Sequence, residues 1–224
     1  MDQAAQIDRL RHELERVAVE ADAAPMAAYM MDRFRFLGVK TPARRRASKP
    51  LIAASTHEPV AEVVVCAHEL RAQPEREFHY VAGDLLRANR QRLRADHLAD
   101  IEHFVTTDSW WDTVDALASP TVGTMVRAHP DLLATLDRWI DADDFWLARV
   151  AILHQLRFGA DTDADRLFRY STHRAGDAEF FIRKAIGWAL REYSRTDPDA
   201  VRTYVETHRE VLAPLTAREA TRRL

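Results

Sequence analysis

"FFIRKAIGWALREYSR", residues 180–195, carries two patterns at once. Ile182, Ile186, Leu190 and Tyr193 recur at steps of four, four and three, which puts them on one apolar stripe of a helix. Lys184, Trp188, Arg191 and Arg195 recur at steps of four, three and four on a different face. The first stripe predicts burial. The second sets a large aromatic among cations where solvent is expected, a composition suited to a polyanion whose bases stack and whose phosphates pair. The alternative is a pair of basic stems laid over an aromatic against a neighbouring helix.

The same helix opens a repeat. Phe181 precedes Ala185 by one turn, Leu147 precedes Ala151 in "FWLARVAIL", and Phe78 precedes Ala82 in "EFHYVAGDLL". From 147 to 181 is 34 residues and from 78 to 147 is 69, close to two such steps. A further copy is predicted near 112, where "WWDTVDALA" supplies Asp112 and Ala116. A large residue followed one turn later by alanine lets helices approach closely, and a period in the thirties marks two-helix solenoid repeats. Scarce glycine, abundant Leu, Ala, Arg and Glu, and no sustained alternation point the same way. "VVVC" at 63–66 is the only β-branched run, too short to build a sheet. Prolines at 25, 42, 59, 74, 120, 130, 198 and 214 divide the chain into helical segments. The expected fold is all-α, a right-handed-type α-solenoid with a concave groove, formed by residues 1–224 as one domain with a helix over 1–24 packed on the array.

Composition removes several classes. A chain of 224 residues, 47% hydrophobic, buries a large core. No run of 18 apolar residues spans a bilayer, and acids in "MDQAAQIDRLRHEL" exclude a signal peptide, so a cytoplasmic location is expected. Cys66 stands alone, and the ten histidines lack the spacing of a zinc helix, so no metal or cofactor is expected. The net charge of −3 hides an uneven distribution. Residues 33–49 hold seven Lys or Arg and no acid, while Asp8, Glu13, Glu15 and Glu20 mark a solvated N-terminal face.

In "TTDSWWDTVD", residues 106–115, two adjacent tryptophans must differ in role. Trp110, Val114 and Leu117 share an apolar stripe, whereas Trp111 is turned by about 100 degrees and shares a face with Asp115. Ser109 and Asp112 have the spacing of a capping box, which leaves Asp115 without a structural task. Arg149 is equally out of place, since its helical neighbours Phe145, Trp146, Ile152 and Leu153 are all apolar. A guanidinium there needs an anion, either a carboxylate of this chain or an external phosphate. Asp115 lies 34 residues before it, one period.

These segments resemble the AlkD-like bacterial DNA alkylation repair glycosylases, which are built of HEAT-like helical repeats. "SWWDTVD", "WLARVAIL" and "EFFIRKAIGWALREYSRTDP" carry the likeness, with "MAAYMMDRFRFLGVKTPARR", "PEREF" and "LAPLTAREA" extending it over nearly the whole chain. The resemblance implies that Trp111, Asp115, Arg149 and Trp188 form the active site. It places Tyr29 and Lys40 in a segment that approaches DNA. Arg44, Arg45, Arg46, Lys184 and Arg191 are the expected further contacts from the basic stretches. Glutamine and tryptophan are expected at positions 40 and 71 in well-known members, where this chain has Lys40 and Arg71.

The activity implied is hydrolysis of the N-glycosidic bond of N3- or N7-alkylated purines in double-stranded DNA, by a monomer and without base flipping. Asp115 would stabilise the developing sugar cation, Trp111 and Trp188 would face it, and Arg149 would hold a phosphate. Two other classes remain open on the residues alone, a non-catalytic DNA-binding repeat protein and a protein-binding scaffold.

Overall fold

The structure, a computed structural model, describes residues 3–224, and the regular elements among them are helices. In chain order they are α1 (Gln3–Val17), α2 (Glu20–Tyr29), α3 (Thr41–Ser55), α4 (Val60–Arg71), α5 (Arg76–Asn89), α6 (Leu98–Thr106) and α7 (Trp111–Leu117). There follow α8 (Thr124–Ala128), α9 (Leu133–Trp139), α10 (Phe145–Leu153), α11 (Ala164–His173), α12 (Phe180–Tyr193), α13 (Pro198–Thr207) and α14 (Pro214–Ala220). "VVVC" lies inside α4, where Val63, Val64 and Cys66 are buried. Most prolines punctuate as expected: Pro42, Pro198 and Pro214 occupy first helical turns, and Pro59 is the residue before α4. Asp144, Asp163, Glu179 and Asp197 each cap a helix by accepting a backbone N–H.

The chain forms two compact units, residues 1–93 and 94–224. In the first, α1 packs on α3 and α3 on α5, so alternate helices stack in the manner of a two-helix repeat. Ile7, Leu10 and Leu14 make the buried stripe of α1, and Asp8, Glu13, Glu15 and Glu20 stay exposed. The stretch before α3 is held by one carboxylate. Glu77, fully buried at the start of α5, accepts the N–H groups of Leu37, Gly38 and Val39, each at 3.0 Å. Beside it Arg76, also fully buried, lies 3.6 Å from the Phe34 ring centroid and donates to His79.

The second unit is organised around α10, which packs against α6, α7, α9, α11 and α12, while α12 packs on α14. Every residue from Trp146 to Leu153 is buried. The repeat period is visible as hydrogen bonds between successive repeats. Arg149 bonds Asp115 at a separation of 34, Tyr170 bonds Asp137 at 33, Thr172 meets Tyr204 at 32 and Lys184 bonds Glu219 at 35.

Several local expectations are corrected. The segment read as one helix over 1–24 breaks after Val17, and α2 begins at Glu20; Met1 and Asp2 lie outside the described residues. Pro25 sits inside α2 rather than ending it. Pro120 does not break its helix either. Residues 111–128 run as one helical segment, α7 and α8 joined by a π-helical turn over Ala118–Gly123. A widened turn accommodates the missing N–H and the ring. Gly123, at the end of that turn, is where the segment meets α10, for a Cβ there would lie 2.2 Å from the His154 carbonyl oxygen. Ala116, the supposed small residue of the extra copy, is exposed, because the 34-residue pairing of Asp115 with Arg149 sets Leu117 in register with Ala151.

Glu77→Gln is expected to lower unfolding stability by about 2–3 kcal/mol, because charge-assisted bonds to three buried N–H groups are lost. Urea denaturation monitored by circular dichroism measures it.

Candidate active site

The site is built on α7, α10 and α12 of the second unit. Trp110 is indeed core, at 8% exposure, but it lies just before α7 in extended backbone rather than on the helix. Its ring packs 5.0 Å from Phe181 and 5.9 Å from Trp146, and Phe145 stacks parallel to Phe181 at 6.4 Å. This aromatic cluster seats the ends of three helices on one another. The helix starts later than the Ser109–Asp112 capping box implies, with Trp110 as its N-cap. Ser109 Oγ instead donates to the Val105 carbonyl, and Asp112 accepts from the next residue's N–H, so the aromatic packing of Trp110 has moved the helix start past Ser109.

Arg149 is 1% exposed, and its partner is the carboxylate of this chain. Nε donates to Asp115 Oδ1 and Nη2 to Asp115 Oδ2, both at 2.7 Å, the parallel two-bond geometry that guanidinium and carboxylate favour. Nη1 donates to the carbonyl oxygen of Phe181 in the first turn of α12. Burial and these bonds turn Arg149 inward onto Asp115 and the Phe181 carbonyl, where a phosphate had been expected. The guanidinium also lies 5.3 Å from the centre of the Trp188 ring. Asp115, Arg149 and Trp188 are therefore together, from three consecutive repeats, and Trp111 opens α7 one turn before Asp115, half-buried.

Asp115 keeps 24% of its side chain exposed, while both of its carboxylate oxygens are held by Arg149. Burial raises its pKa above the ordinary aspartate value, the Arg149 bonds and charge pull against that, and Asp112 nearby adds to the rise. The net direction is upward. Cys66 and His154 are no rivals as reactive groups, since burial pushes the Cys66 thiol up to about 11 and His154 down to about 4. Among the described residues no three His, Cys, Asp or Glu side chains gather as a metal site requires, and no helix is long and apolar enough to cross a membrane.

The expected DNA contacts divide into two groups. Tyr29 is 71% exposed, and Lys40, Arg45 and Arg46 are also exposed, Lys40 bonding Asp22 at 2.7 Å. Arg44 turns inward instead, at 7% exposure, pairing with Asp84 at 3.3 Å over the Tyr80 ring, which corrects its assignment to the DNA surface. Lys184 and Arg191 are the ammonium and guanidinium of a second pair centre, since both bond Glu219, at 2.9 and 2.7 Å. Glu219 was not foreseen. Its signal was Gly187, a glycine in mid-helix, which costs about 1 kcal/mol against alanine and so implies a close neighbour. A Cβ at Gly187 would lie 2.5 Å from the Glu219 Cβ. Arg71 is half-buried at the end of α4.

The model of DNA alkylation repair enzymes matches residues 10–224. A solved structure described as a predicted DNA alkylation repair enzyme from Enterococcus faecalis is 36% identical, with a TM-score of 0.85 over 91% of this chain and 95% of that one. A second, smu.31 from Streptococcus mutans UA159, is 15% identical, with a TM-score of 0.63 over 81% of this chain and 95% of its own, and shows likeness of fold. No curated protein matches the chain.

Arg149→Ala strands a half-buried carboxylate and frees the Phe181 carbonyl, and is expected to cost about 3 kcal/mol in denaturant unfolding. Arg149→Lys should recover only part of that loss, since one ammonium cannot span both oxygens.

Proposed function

Because the chain belongs to the DNA alkylation repair enzyme family, we propose that it is a monofunctional DNA glycosylase acting on cationic N3- or N7-alkylated purines in double-stranded DNA. It would act as a cytoplasmic monomer in base excision repair, without flipping the base. The match extends across both compact units, which supports treating the chain as one repeat domain. The observation that carries the reading is the Asp115 carboxylate, on a side chain 24% exposed, oriented by two bonds from a sealed Arg149 beside the Trp188 ring.

The chemistry fits that arrangement. An alkylated purine bears a positive charge and departs with the electron pair of the glycosidic bond as a neutral base, so little acid catalysis is needed. Positive charge then develops on the sugar, where a fixed anion is most useful. Asp115 supplies it and orients the water whose oxygen bonds to the sugar carbon, taking or relaying that water's proton. Trp111 and Trp188 present electron-rich faces to the sugar cation, a contact worth about 1–2 kcal/mol each when desolvated. Arg149 is a positioning residue here. It holds the carboxylate so that no reorganisation accompanies bond breaking.

Duplex contact is assigned to the exposed Tyr29, Lys40, Arg45 and Arg46, with Lys40 and Arg71 as the positions that distinguish this chain from well-known members. Lys184 and Arg191 retain about a fifth of their side-chain surface and supply a weaker positive field, already shared with Glu219.

Wild-type protein incubated with methylated duplex DNA should release 7-methylguanine or 3-methyladenine, identified by mass spectrometry; no released base from alkylated duplex sinks the reading. Asp115→Asn should keep duplex affinity and lose release by about 10²–10³-fold. The acid limb of release should lie above the ordinary aspartate range, because protonation of a carboxyl with a raised pKa removes the working anion as pH falls. A pH–rate profile of single-turnover release checks this, and the limb should vanish in the Asp115→Asn residual rate.

A further inference from the structure

We propose that Glu219 of α14 is a positioning residue for Trp188, fixing the indole through Lys184 and holding both Lys184 and Arg191 away from phosphates. This rests on the glycosylase reading for its catalytic consequence, though not for its geometry.

Two cations lie near the Trp188 ring, each tied to a carboxylate. Arg149, bound to Asp115, lies 5.3 Å from the ring centre, and Lys184 Nζ, bound to Glu219, lies 5.5 Å from it. An ammonium on a lysine stem is mobile unless a partner holds it. Glu219 is 9% exposed, and its other oxygen accepts from Arg191 Nη1 at 2.7 Å. One carboxylate therefore restrains two side chains of α12 that lie four residues before and three after Trp188, on the same face. Lys184 and Arg191 hold the Glu219 carboxyl below its ordinary value, so it remains an anion.

The backbone gives a second, independent restraint at the same place. A Cβ on Gly187, the residue before Trp188, would lie 2.5 Å from the Glu219 Cβ and 3.2 Å from the Thr216 carbonyl oxygen. Thr216, fully buried, donates to the Arg183 carbonyl at 3.1 Å. α14 is thus pressed onto α12 beside the candidate catalytic ring, and Glu219 stands at the contact.

The proposal separates two effects that a purely structural pair would move together. Freed of Glu219, Lys184 and Arg191 become available to DNA phosphates, so duplex binding should tighten at low salt. The slope of log affinity against log salt should steepen by roughly 0.9 per phosphate gained. The loosened ring should at the same time slow base release about tenfold, in the range that a small misplacement costs.

The test uses the full chain labelled with 5-fluorotryptophan, the Trp188 ¹⁹F resonance being assigned by Trp188→Phe. In Glu219→Gln without DNA, the Trp188 resonance is expected to shift and broaden while the other indole resonances stay in place. Lys184→Met, which removes the ammonium and leaves Glu219 its Arg191 partner, should move the same resonance and serves if Glu219→Gln fails to fold. A resonance unmoved in the folded variants overturns the proposal, as does a moved resonance with unchanged base release and unchanged salt slope. Absence of base release by the wild type would sink the glycosylase reading alone, and the ¹⁹F and salt measurements would still decide the role of Glu219.

Discussion

A guanidinium sealed inside a stack of apolar helices tolerates few arrangements, and Arg149 has one that satisfies it. Its three bonding nitrogens reach Asp115 on α7 and the Phe181 carbonyl on α12, so a single buried cation joins three consecutive repeats. Removing water from such a charge is costly unless paired donors and acceptors replace it. That requirement determines how closely α7 must lie to α10 and where the first turn of α12 must be. The π-helical turn, with Gly123 against the His154 carbonyl, is the backbone device that lets the segment from Trp111 to Ala128 meet α10 at that distance.

The same device recurs with different residues. Glu77 gathers three N–H groups ahead of α3, Asp84 is faced by Arg44, Arg45 and Arg87, Asp137 by Arg166, Arg169 and Tyr170, and Glu219 by Lys184 and Arg191. Stacked repeats bury apolar area without a preferred register, whereas a carboxylate with directional partners selects one. Asp115 differs in one respect. Its lock comes from a cation with almost no solvent contact, while about a quarter of the Asp115 side chain remains exposed, so it is fixed at the edge of solvent.

Much of this was legible because helices turn sequence spacing into geometry. The stripe of Ile182, Ile186 and Leu190 is buried as spaced, with Tyr193 at its end only half-buried, and Trp110 is buried with Val114 and Leu117. The 34-residue relation of Asp115 to Arg149 became a pair of hydrogen bonds. What misled was local chemistry with a tertiary competitor. Ser109 lost the cap to the packing of Trp110 against Trp146 and Phe181, Pro120 was absorbed by a widened turn, and Arg44 followed its stem under Tyr80 instead of facing solvent. Likewise Lys184 and Arg191 read as an open basic face because their neutraliser lies 35 and 28 residues on, at the end of the chain.

By itself the sequence determined the all-helical class, the repeat period, the stripe that each helix buries and the anomaly of a charge at position 149. Each follows from periodicity or from a residue type placed where its hydration is lost, and both are properties of a line of residues. Only the tertiary structure decided that the partner of Arg149 is Asp115 rather than a phosphate, and that the cations flanking Trp188 are already held by Glu219. Pairing between repeats depends on how close two helices lie and which rotamers their packing permits, quantities that no spacing along one helix contains.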